Sequence, residues 1–246
     1  MKRGIFLALL FMTLSASHSS AASAPAQWRL VWSDEFDGQS LDSSKWRAED
    51  AALIKNSELQ YYTPDDVYLE NGNLVLRSQK RDLYGRHYSS GLVETKGKFS
   101  QEYGRFETRA KLPKGQGIWP AHWMLPVDKS WPPEIDIMEL LGHDPTTVYA
   151  HFHWSVYSKH AYEGRRYKGP DFSADFHVFA VEWEPTEIRW YVDGDLVMSR
   201  KGQIPHKPFY LILNTAVGGV WPGNPDATTQ FPQYHLIDYV RVYEKA

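Results

Sequence analysis

An all-β sandwich or barrel is the fold class that the 246 residues predict, and three observations carry it. Short runs rich in Val, Ile, Tyr, Phe and Trp follow one another from Gln27 onward, broken at roughly 8- to 12-residue intervals by turn signals. These are Asp37-Gly38, Asn71-Gly72, Lys96-Gly97, PKGQG from 113, Asp193-Gly194 and VGG from 217. Apolar and polar residues alternate within several runs, the period of a half-buried strand. No segment keeps a helical period between caps, and 15 Pro with 17 Gly interrupt the chain too often for long helices.

In chain order, GRFETRAKL is the first clear strand: Phe106, Thr108, Ala110 and Leu112 share one face, and Arg105, Glu107, Arg109 and Lys111 the other. GIWPAHWMLP puts Trp119 and Trp123 four apart, in phase for one strand face. YAHFHW places His151 and His153 on a common face, and EIRWYVDG and HLIDYVRVY alternate again. There is no internal repeat, low-complexity linker or change in composition, so residues 25–246 read as a single domain.

The opening MKRGIFLALLFMTLSASHSSAASA joins a basic start, an apolar run from Ile5 to Leu14 and a small-residue end near Ala22 or Ala24. Residues 1–24 are expected to be a cleaved secretory signal, which makes the mature chain secreted or periplasmic. The apolar run is too short to span a bilayer. Net charge −3, a pI of about 6.4 and interspersed charges offer no basic footprint for nucleic acid or an anionic membrane. The chain has no cysteine, which excludes disulfides, thiolate metal sites and a cysteine nucleophile. Ten Trp and 15 Tyr exceed what core filling asks for, and flat amphipathic rings of this kind stack on sugars or bases.

The segment WPPEIDIMELLGH, residues 131–143, sets three acids among apolar side chains. On a helix Glu134, Asp136 and Glu139 would scatter around the axis. On a regular strand Glu134 and Asp136 share a face, and Glu139 falls out of phase by one residue. A β-bulge at Ile137-Met138, with Met138 as the extra residue, brings all three to one side and leaves Ile135 and Ile137 for the core. Such a row suits glycoside hydrolysis, in which one carboxyl protonates the leaving oxygen and a second attacks carbon or activates water. Mutual repulsion should keep a proton on at least one acid near neutral pH, as a general acid requires. A solvated polar sheet face and a cation site are the other readings of the same spacing.

The EIDIME motif resembles the active-site signature of glycoside hydrolase family 16 in its bulged, laminarinase-like form. The similarity extends through WSDEFDG at 32, NSELQYYT at 56, the run GKFSQEYGRFETRAKLPKGQGIWPAHWMLP, VEWEPTEIRWYVDG at 181, FYLILNTAVGGVWPGNPDATTQFP and the terminal DYVRVY. It implies a β-jelly roll of two curved antiparallel sheets with a substrate cleft across the concave face. It further implies a retaining mechanism with Glu134 as nucleophile, Glu139 as general acid/base and Asp136 orienting the nucleophile. Asn56, Arg77, Trp119, Trp123, His153 and Trp221 match or flank cleft positions, although the family often has a second asparagine where this chain has Ser57. No organic cofactor is implied. A structural calcium ion on the convex side is, with Glu35, the carbonyl of Gly72 and Asp238 at the matching positions. The expected partner is a polysaccharide, met by a monomer.

The function expected is endo-hydrolysis of β-1,3- or mixed-linkage β-1,3-1,4-glucans. The alternatives on the same scaffold are hydrolysis of another polysaccharide, such as a bacterial exopolysaccharide or an agar- or carrageenan-type galactan, and transglycosylation. A binding protein that has lost catalysis is a third reading, opposed by the presence of all three acids.

Overall fold

The apolar and aromatic runs pair into 17 strands in the computed structural model, which describes residues 28–53 and 55–246. The expected leader, residues 1–24, lies outside the described residues. No α-helix occurs among them; one 3-10 turn, Pro64–Asp66, is capped by the Thr63 hydroxyl.

Ten strands form an outer sheet. Its main path runs β15 (Asp195–Lys201), β14 (Glu187–Val192), β13 (His177–Glu184), β8 (Gly104–Lys111), β17 (Gln233–Lys245), β5 (Asn73–Leu83), β6 (Arg86–Ser90) and β3 (Gln60–Tyr62). Off that path, β1 (Trp28–Asp34) pairs β17 and β4 (Val67–Glu70) pairs β5. Seven strands form the inner sheet, in the order β12 (Lys159–Lys168), β11 (Thr147–Val156), β10 (Glu134–Leu140), β9 (Ile118–Pro126), β16 (Phe209–Val217), β7 (Leu92–Glu94) and β2 (Arg47–Ala48). Every pairing is antiparallel except β3 with β6. Antiparallel pairing allows one face of a sheet to be buried while the other meets solvent, and that asymmetry makes the site.

The core lies between the sheets. Met124, Ile135, Ile137, Leu140, Val148 and Phe152 come from the inner sheet, and Phe106, Phe179, Val181, Trp190, Val240 and Val242 from the outer one. Each aliphatic side chain fully buried there stabilises the fold by roughly 1.5–3 kcal/mol. Two imidazoles sit in the same layer. His122 of β9 and His235 of β17 stack with centroids 5.0 Å apart, and their Nε2 atoms are 3.0 Å apart. Thr108 Oγ1 and Thr215 Oγ1 occupy the outer nitrogens, so a polar chain spans both sheets without reaching water.

Candidate active site

The slip anticipated within β10 is present. Asp136 pairs Trp123 and Met138 pairs His122 on the β9 side, so the residue left unmatched there is Ile137 and not Met138 as expected. On the β11 side Asp136 pairs His151 and Glu139 pairs Tyr149, three residues against two. Ile135, Ile137 and Met138 are buried in the core, while Glu134, Asp136 and Glu139 line one cavity of about 560 Å³ on the opposite face. Trp190 Nε1 reaches across from the outer sheet to donate to the carbonyl of Asp136, at 2.9 Å, where the ladder slips. The bulge is thus tied down from below.

The three carboxyls have different surroundings. Asp136 is 3% exposed, and burial, with Glu134 and Glu139 nearby, holds its carboxyl well above the usual range. Burial and the two neighbouring glutamates thus favour the protonated form of Asp136. Burial pushes Glu134 up to about 7, opposed first by the indole Nε1 of Trp131, which donates to Glu134 Oε2 at 2.9 Å. Glu139 is held from two sides: Trp119 Nε1 donates to Oε1 at 3.0 Å, and His151 Nδ1 lies 2.7 Å from Oε2.

His153 stands over the first pair of acids, with Nε2 3.1 Å from Asp136 Oδ2 and 3.8 Å from Glu134 Oε1. Burial, and then the neighbouring His151 and His160, depress it to about 4. Above that pH the ring is neutral and is not a counter-ion to the acids. His160 Nε2 is 2.9 Å from its Nδ1 and fixes the ring from behind.

Trp119 and Trp123 share the cavity face of β9 as their spacing predicts. Trp123 Nε1 donates to Asn214 Oδ1 at 2.8 Å, and Asn214 Nδ2 donates to the Tyr62 hydroxyl at 2.9 Å, so this indole is locked by a buried network. Trp221 packs edge-on against Trp119, at 5.5 Å, and against Tyr149 and His151. Asn56 lines the cavity, and its Nδ2 donates to Glu58 Oε1 at 3.2 Å. Asn56 and Ser57 both have positive φ, 51° and 57°, a conformation that asparagine tolerates far better than serine.

Two expectations need correction. Arg77 is not a cleft wall. In β5, Leu74, Leu76 and Ser78 take the buried face, so Arg77 points outward, donates from Nε to Asp66 Oδ1 at 2.8 Å and lies over Tyr68. The side chains of Glu35 and Asp238 do not fit calcium ligands. Arg241 donates to both Glu35 oxygens, at 3.0 and 2.8 Å, and Arg109 pairs with Asp238 at 2.5 Å. Two guanidinium groups already neutralise the charge that would attract a dication. Beside Gly72, whose φ is 73°, the carbonyls and the buried Oδ1 of Asn73 remain, the latter without a hydrogen-bond partner among the described residues.

Sequence reasoning gave no role to Trp131, Glu58, Asn214 or Tyr62, all of which line the cavity. Trp131 heads the segment WPPEIDIMELLGH, but an indole folding back three residues to a carboxylate has no periodic signature.

The model of glycosyl hydrolases family 16 matches residues 55–241. The chain belongs to glycosyl hydrolases family 16. A β-glucanase of Rhodothermus marinus is 38% identical over 270 residues, covering 99% of this chain and 94% of that protein. The laminarinase catalytic domain of Thermotoga maritima superposes with a TM-score of 0.85 at 46% identity, covering 89% of this chain and 99% of that one. The endo-1,3-1,4-β-glycanase ExsH of Rhizobium meliloti is 34% identical across 87% of this chain, which spans about half, 51%, of that relative. The family 16 chain is accordingly a glycoside hydrolase on the two-sheet jelly roll, and its acids stand on the inner sheet of that fold.

Proposed function

We propose that this family 16 hydrolase is an exported, endo-acting, retaining β-glucanase that cuts β-1,3 linkages in laminarin-like or mixed-linkage glucans by double displacement. The observation that carries the reading is one bulged strand that presents Glu134, Asp136 and Glu139 to a single aromatic-lined cavity, with the two glutamates held by different hydrogen-bond partners. The β-glucanase and laminarinase activities named for two of the relatives support the substrate class.

In the first step a carboxylate oxygen of Glu134 forms a bond to the anomeric carbon as the glycosidic C–O bond breaks. Glu139 gives its proton to the departing oxygen. In the second step Glu139 takes a proton from water, whose oxygen bonds to the anomeric carbon. The ester bond breaks and Glu134 leaves as a carboxylate. Protonated Asp136, with an oxygen within 4.8 Å of one on each glutamate, donates to Glu134 and offsets the build-up of charge while the sugar leaves. Trp119, Trp123 and Trp221 supply faces for pyranose rings, and Asn56 and His153 supply polar contacts to hydroxyls. No step uses a metal ion. Residues 1–24 support export.

Incubation with laminarin, lichenan, barley glucan, agarose and carrageenan, with products sized by chromatography, tests the proposal. Oligosaccharides from the β-glucans alone, with the β-anomer first in proton NMR of fresh digests, are expected. Release from the galactans alone, or initial α-product, would contradict it.

A further inference from the structure

Glu139 is the acid whose surroundings the family motif does not account for. Its Oε2 lies 2.7 Å from Nδ1 of His151, with the two side chains 15% and 11% exposed. His151 comes from β11, opposite Asp136 at the edge of the bulge, and its ring is boxed in. Tyr149 stacks parallel to it at 6.1 Å, Trp221 meets it edge-on at 5.6 Å, and Tyr162 closes the far side at 6.4 Å. Beneath it lies Gly164 of β12, the cross-strand partner of His151. A Cβ on Gly164 would stand 2.1 Å from His151 Cδ2 and 2.5 Å from Nε2, and the three nearest atoms all belong to that imidazole. Gly164 has no positive φ that would call for glycine. The missing side chain serves the ring above it.

From this geometry we infer that His151, seated on Gly164, is a positioning residue for the acid/base carboxyl: it fixes the Glu139 rotamer and keeps one oxygen engaged while the other faces the cavity. The inference rests on Glu139 as acid/base. A carboxyl held by Trp119 alone, through a single contact at Oε1, is free to turn about that contact. Proton delivery to the leaving oxygen and proton removal from the attacking water both depend on its orientation. Sequence spacing places His151 and His153 on one face of their strand. It cannot show that the imidazole reaches the carboxyl, nor that the space comes from a glycine 13 residues downstream.

The test compares aryl β-glucosides of laminaribiose whose leaving groups need or do not need protonation. The enzymes are the parent, Glu139→Ala, His151→Ala, His151→Asn and Gly164→Ala, each checked for folding by thermal melting. For a p-nitrophenyl or a natural glucosyl leaving group, His151→Ala should lower kcat/KM about 10- to 100-fold, a part of the roughly 100- to 10,000-fold that general acid–base assistance supplies. With the 2,4-dinitrophenyl leaving group kcat/KM should stay within about threefold of the parent. Turnover of that substrate should rise with added azide, which attacks the glycosyl-enzyme without a base.

His151→Asn, which keeps a polar atom near the Nδ1 position, should recover part of the loss. Gly164→Ala, which displaces only the ring, should repeat the same selective pattern. An equal loss on both leaving groups in His151→Ala and Gly164→Ala, or no loss in either, overturns the inference, provided Glu139→Ala shows the leaving-group dependence. If Glu139→Ala itself lacks that dependence, the acid/base assignment falls and this inference with it.

Discussion

Glu134 shows how burial and function pull on one side chain. Its carboxyl belongs near 4.5 in an unfolded chain and near 7 in the folded one. The folded state therefore binds the proton more tightly, and stability declines as pH climbs from about 4.5 to about 7, with no further change from this group above that. Glu134→Gln should thus melt higher than the parent at pH 8, by on the order of 2 kcal/mol, with the gain vanishing by pH 4. The same variant should lose at least roughly 1,000-fold in turnover, because the nucleophile is gone. Calorimetry of variant and parent at both pH values, beside laminarin hydrolysis, checks this; a gain over the parent no larger at pH 8 than at pH 4 would refute the buried carboxylate. Other residues were only half legible. Glu134, Asp136 and Glu139 announced themselves because acids among isoleucines need an explanation. Arg77 was misplaced because a lone arginine in an apolar run gives no sign of which sheet its strand joins, and only the outward phase of β5 with Asp66 beside it decides that.

At the level of the strand, β10 was readable almost in full. The five-residue spacing of the two glutamates demands one extra residue, and the structure confines it to Ile137-Met138. Deleting Met138 should restore plain alternation, Glu134-Ile-Asp136-Ile-Glu, and keep all three acids on the cavity face. The deletion variant should fold, with stability lower by roughly 2–4 kcal/mol for the lost core side chain, and retain measurable hydrolysis. Inserting an alanine after Met138 instead should turn Glu139 toward the core and abolish activity. Circular dichroism melts and reducing-sugar release from laminarin separate the outcomes; an inactive deletion beside an active insertion would contradict the bulge account. The hairpin β11–β12 was less legible, since the contribution of Gly164 depends on a cross-strand register that no local pattern encodes.

Over the whole molecule, the two sheets are joined by apolar packing and by the His122–His235 chain. Burial holds His235 down to about 3 and His122 well below its ordinary value, so both are neutral in the folded state. As pH falls through about 6.5 the unfolded chain takes up protons that the folded chain refuses, and stability falls with it until about pH 3. Each such histidine contributes a slope of up to about 1.4 kcal/mol per pH unit. His235→Phe should therefore show a shallower decline of melting temperature between pH 6 and 4 than the parent; an unchanged slope would remove the pair from the acid response. The sandwich class and its turns were legible in period-2 alternation and glycine punctuation. The division into ten and seven strands was not, because it depends on pairings such as β8 with β17 that bring together residues more than 100 apart.

Everything in the catalytic account depends on Glu134 carrying the sugar. A 2-deoxy-2-fluoro-β-laminaribiosyl fluoride slows the second step, so the glycosyl-enzyme accumulates and can be digested and mapped by mass spectrometry. The label is expected on the peptide spanning WPPEIDIMELLGH, on Glu134 itself, with Glu139 and Asp136 unmodified. Labelling of Glu139 or Asp136, or complete turnover with no adduct and α-anomer as first product, would contradict it.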